Sequence, residues 1–105
     1  MKKHIVCIAS EQKGNEFLEQ ASANGWRVTL VTRKNLLDLP WAWDAISEVR
    51  SVEEPAQPLD YVRAITNIAG SEKIDRVVGL DEFDVITGAL TREHLQLPGM
   101  TSSYL

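Results

Sequence analysis

A chain of 105 residues, 44% hydrophobic and 25% charged, holds one globular domain with a modest core and no second domain. Its formal charge of −4 and its lack of any basic run exclude a nucleic-acid backbone as partner. One cysteine, Cys7, excludes a disulfide framework and points to a reducing cytoplasm, and the apolar run after Met1-Lys2-Lys3 is too short for a signal peptide or a membrane span.

His4 to Ala9 is an unbroken apolar, β-branched run closed by Ser10, which predicts a strand covered on both faces, with Cys7 filling core. Glu16 to Ala23 carries Phe17, Leu18 and Ala21 at helical spacing, between a Gly14-Asn15 start and an Asn24-Gly25 stop. Arg27 to Thr32 is rich in Val and Thr and predicts the second strand. From Arg33 to Asp44 the pattern turns irregular around Pro40, which predicts a loop. Within it Trp41 and Trp43 close the core from outside, the partner-binding patch being the alternative.

Ala45 to Val52, "AISEVRSV", repeats at Ile46, Val49 and Val52 as a helix would, but its length and Val content predict a short strand. Past Pro55 and Pro58, a stripe of Leu59, Val62, Ile65, Ile68 and Ala69 predicts a helix ending at Gly70. Arg76 to Leu80 is a fourth strand. Asp81 to Leu95 is a third helix with Phe83, Ile86, Ala89 and Leu90 on one face and Leu97-Pro98-Gly99 as its stop.

This order implies a Rossmann-like α/β three-layer sandwich, a four-stranded parallel sheet in the order 3-2-1-4 with the first strand central. Ligands of such sheets meet the carboxyl ends of the strands, which brings Ser10-Glu11, Thr32-Arg33 and Asp81-Glu82 to one edge. Asp81 sits where an N-cap belongs, Asp84 at the third helical position has capping-box spacing, and Glu82 suits the positive helix end.

Several chemistries are excluded by spacing. "ASEQKGNEF" lacks the G-x-G-x-x-G turn of a dinucleotide site, and no Walker A sequence exists. Ala9-Ser10 and Ser51-Val52 do not supply the acids of a phosphorelay receiver. His4 and His94 have no Cys or carboxylate at metal-ligand spacing, so each reads as a solvated or core-edge imidazole and no metal site is expected.

Three stretches together resemble one family. Ile74-Asp75-Arg76-Val77-Val78, Leu80-Asp81-Glu82-Phe83-Asp84 and Leu97-Pro98-Gly99 are similar to the N-terminal, pre-ATP-grasp domain of ATP-grasp enzymes of the carboxylate-amine ligase type. Looser likeness runs upstream through His4 to Ala9, Gly25 with Val28, and Pro40 to Val49. The resemblance implies that residues 1–105 form the first domain of a longer ligase, with the ATP-grasp domain and its ATP and magnesium ligands downstream of Leu105, and no cofactor held by this segment itself.

Such a ligase phosphorylates a carboxylate with ATP and lets an amine displace the phosphate, which needs cations and magnesium around the phosphates. No basic cluster of that kind occurs here, so the segment is expected to be catalytically silent and to form the substrate-side wall of the cleft, meeting small carboxylate and amine substrates. The expected substrate-binding residues are Ser10, Glu11, Asp81 and Glu82, the last two on the family motif and the first two from topology alone. The alternative is a stand-alone Rossmann-like binding or dimerisation module without enzyme activity, acting through its strand edge or the Trp41-Trp43 loop.

Overall fold

A computed structural model describes residues 2–97. Among them strand β1 (His4–Ala9) is followed by helix α1 (Asn15–Ala23), strands β2 (Arg27–Arg33) and β3 (Glu48–Val52), helix α2 (Pro58–Ala69), strand β4 (Arg76–Gly79) and helix α3 (Glu82–Leu95). The strands form one parallel sheet in the order β3-β2-β1-β4. Cys7 lies opposite Leu30 of β2 and Val78 of β4, so β1 is central as its composition requires.

The unbroken apolar run of β1 serves two cores. Alternate side chains point to opposite faces. Ile5, Cys7 and Ala9 join Leu18, Val28, Leu30 and Trp41 beneath α1, whereas Val6 and Ile8 join Val31, Ile65, Ile68 and Val77 beneath α2. Each fully buried Leu or Ile stabilises the fold by roughly 1.5–3 kcal/mol in transfer terms. Burial also pushes the Cys7 thiol up to about 12, so it is packing material rather than a nucleophile.

"AISEVRSV" does contain a strand, the shorter Glu48–Val52, paired to β2 from Thr29–Glu48 to Arg33–Val52. As an edge strand it leaves Arg50 and Ser51 exposed. The Arg33–Asp44 segment is largely loop, with 3₁₀ turns at Lys34–Leu36 and Trp43–Ala45 and with Arg33 itself completing β2. Trp41 is buried and its indole N–H donates to the Leu36 carbonyl at 2.9 Å, so it closes the core, while Trp43 stays 43% exposed. Asn15 holds this loop down by accepting from Ala42 N–H and donating to Pro40 O, both at 3.0 Å. Helix α2 opens with a capping box between Gln57 and Asp60 and with Pro58 in its first turn.

Helix α3 differs from expectation in which face is buried. Of the expected face only Ala89 is buried, together with Asp84, Thr87, Gly88, Thr91 and Arg92, whereas Phe83, Ile86 and Leu90 are exposed. Close approach explains the inversion: a Cβ on Gly88 would lie 3.4 Å from the Gly79 nitrogen, so α3 crosses β4 with no side chain between them at that point. The buried polar groups find partners there. Thr91 donates to Thr87 O at 2.8 Å, and Arg92 donates to the Val77 carbonyl of the edge strand at 2.6 Å. The Pro98-Gly99 stop lies outside the described residues.

Candidate functional site at the strand carboxyl ends

The last residues of β1 and β2, the turns that follow them and the first turn of α3 meet at one edge of the sheet. Gly79 makes that meeting close. A Cβ there would stand 2.2 Å from the Asp84 carbonyl carbon, so the first turn of α3 folds directly over the end of β4. Leu80 then packs into the β1–α1 turn at Gly14, whose φ of 90° suits glycine and whose absent Cβ would meet Leu80 at 2.8 Å. That glycine therefore serves packing, and the turn after β1 is filled by a leucine where a phosphate cradle would need open backbone.

Asp81 is the N-cap of α3, its carboxylate accepting from Glu82 N–H, and Lys13 stands 3.6 Å from its other oxygen. The capping box expected of Asp84 does not form. Asp84 is buried and its carboxylate instead accepts from the Ser10 backbone N–H at 2.9 Å. Burial raises its pKa above the ordinary carboxylate value, the Ser10 hydrogen bonds pull it down, and Asp81 and Glu11 raise it.

Arg33 organises the rest. Its Nε donates to Ser10 O at 2.8 Å, and its terminal nitrogens lie 3.3 Å from Glu54 and 3.5 Å from Glu11. Beside this cluster Tyr61 is buried at the start of α2 with no hydrogen-bond partner for its hydroxyl among the described residues, and its pKa is pushed up to about 12 by burial first and by Asp84 second.

Of the expected residues, Ser10, Glu11 and Asp81 thus belong to one edge, linked through Arg33, Asp84 and Lys13. Glu82 is exposed in the first turn of α3 and joins no ion pair among the described residues. Sequence reasoning missed the linking role of Asp84 and the ion pairs of Arg33. Arg33 was visible as the charged residue closing a Val/Thr strand, but nothing in the sequence distinguishes a cap at the third helical position from a carboxylate that crosses to another strand.

The edge carries four carboxylates, Glu11, Glu54, Asp81 and Asp84, against two cations, Arg33 and Lys13. Its field favours a cationic group over a phosphate. His4 is buried, its ring nitrogens at 3.0 Å from Lys73 O and 2.7 Å from Thr29 Oγ1, as a core-edge imidazole should be. No group of three or more His, Cys, Asp or Glu side chains among the described residues could hold a metal ion. The leucine-filled turn after β1 and the acidic edge do not suit the phosphates of ATP. Among the described residues no helix is long and apolar enough to cross a membrane.

These features define a Rossmann-like α/β domain with an acidic strand-end edge. A solved structure with this fold is the crystal structure of an L-amino acid ligase from Bacillus licheniformis, matched with a TM-score of 0.74 at 17% sequence identity. The match covers 97% of this chain but 26% of that one, so the chain spans about a quarter of the length of the ligase it resembles. No family model matches the sequence, and no curated protein matches it either.

Proposed function

We propose that this chain is the N-terminal domain of an ATP-grasp ligase that joins a carboxylate to an amine through an acyl phosphate. The observation that carries the reading is the fold match to an L-amino acid ligase over 97% of the chain, together with Leu80-Asp81-Glu82-Phe83-Asp84 at the junction of β4 and α3. ATP and magnesium are held by the ATP-grasp domain downstream. In that reaction the carboxylate oxygen attacks the terminal phosphorus of ATP and ADP leaves. The amine nitrogen then attacks the acyl carbon, phosphate leaves, and the amine gives up a proton.

The role of this domain is to wall the cleft on the amine side. Its strand-end edge has an excess of two negative charges, suited to hold a substrate ammonium group before the proton is lost. Ser10 and Glu11 in the turn after β1, with Asp81 as the N-cap of α3 and Glu82 in its first turn, are the contacts this role assigns. Asp84 and Arg33 act as positioning residues, holding the two turns in register.

The reading frame beyond Leu105 tests the proposal. A continuing frame with a Lys-bearing lid and a Glu-x-Asn-type magnesium site supports it. A stop codon contradicts it and favours a stand-alone binding module.

A further inference from the structure

We propose that the outer face of α3, with the groove it forms against α2, is a two-fold interface between two copies of this chain, the paired α3 helices running antiparallel. This inference stands apart from the ligase reading. It starts from the inversion of α3: the helix turns Asp84, Thr87, Thr91 and Arg92 inward, and leaves Phe83 80%, Ile86 52% and Leu90 39% exposed. Phe83 alone presents on the order of 150 Å² of apolar surface. With Ile86, Leu90 and Leu59 the face reaches the size at which an apolar patch marks an interaction site.

The surface fits itself. Phe83 projects at the N-terminal end of α3. Towards the other end, Pro58, Leu59, Val62, Leu90 and His94 line an open groove of about 470 Å³ between α2 and α3. An isologous pair must match each feature with its own copy. Antiparallel helices crossing near Gly88 bring Ile86 level with the partner's Leu90, and Phe83 level with the far end of the partner's α3, over that groove. Phe83, Ile86 and Leu90 have the three- and four-residue spacing of a helical seam.

Helix direction agrees. Glu82 is exposed at the start of α3 and His94, next to Glu93, is exposed in its last turn, so antiparallel pairing sets each Glu82 level with the other copy's His94 and opposes the two helix dipoles. A face two helices wide and ~21 Å long covers on the order of 400 Å² per copy. That is about half of a standard interface, so the dimer is a weak, concentration-dependent one.

Sedimentation of the 105-residue chain over a concentration series tests this. The expected result is a reversible monomer–dimer equilibrium that Phe83→Glu weakens by roughly 30-fold or more, with circular dichroism and melting temperature unchanged because the side chain is exposed in the monomer. Direction is read by mixing an Ile86→Cys chain with a Leu90→Cys chain, which should cross-link to each other in preference to either alone. A wild-type chain that remains monomeric throughout, a dimer indifferent to Phe83→Glu, or preferential Ile86→Cys self-linking would each overturn the proposal.

Discussion

The Asp84 carboxylate accepts a 2.9 Å hydrogen bond from the backbone N–H of Ser10, tying the first turn of α3 to the carboxyl end of β1. Asp84→Ala removes a charge-assisted bond and orphans a partly buried N–H, and should cost about 2 kcal/mol in denaturant unfolding. Asp84→Asn keeps an acceptor and supplies the pH test. The raised pKa means that the folded state binds the proton more tightly than the unfolded chain, so stability is full below the unfolded value of 3.8 and falls as pH rises through the folded value. The Asn variant cannot titrate. Its stability relative to wild type should therefore climb across the weakly acidic range and level off above it, and a difference independent of pH would count against a buried, ionising Asp84.

Gly79→Ala should be among the most damaging small substitutions. The added methyl would overlap the Asp84 backbone at 2.2 Å, where no flexible side chain can yield. A loss of about 3 kcal/mol is expected in urea unfolding. A loss within a few tenths would mean that α3 can lift from β4.

Asp81 and Glu82 are adjacent but do different work. Asp81 caps the helix, so Asp81→Ala should cost about 1 kcal/mol in the isolated domain, and Glu82→Ala, which only complements the helix dipole, clearly less. If the proposed ligase function holds, the order should reverse for turnover of the full-length protein, Glu82→Ala lowering it by more than its stability change explains. Kinetics untouched by Glu82→Ala would make the motif structural throughout.

The isolated chain should show no saturable heat on titration with magnesium-bound ATP. Leu80 fills the turn after β1, and the edge of the sheet is net acidic. Micromolar binding would contradict both the site description and the assignment of nucleotide contacts to a downstream domain.

Strand order and the central place of β1 were legible because the apolar run from Ile5 to Ala9 has only one stable setting, inside a sheet covered on both sides. Asp81 was legible because N-caps act locally. Helix α3 was misread for the opposite reason. Its apolar stripe of Phe83, Ile86 and Leu90 has the periodicity of a core face, yet Gly88 and Thr91 allow the polar side to approach β4 more closely, and closeness of approach leaves no periodic mark. The Ser10–Asp84 and Arg33–Ser10 bonds join residues far apart in sequence and depend on that same approach.

The most direct test of the central claim is the fate of the carboxylate oxygen. The protein encoded by the complete reading frame is supplied with ATP, magnesium, an amine-bearing amino acid and a carboxylate substrate labelled with heavy oxygen, and the products are weighed by mass spectrometry. Ligation through an acyl phosphate predicts ADP, an amide-linked product and one labelled oxygen in the released phosphate. Label appearing in AMP, or no cleavage of ATP with any amino acid offered, would contradict the account.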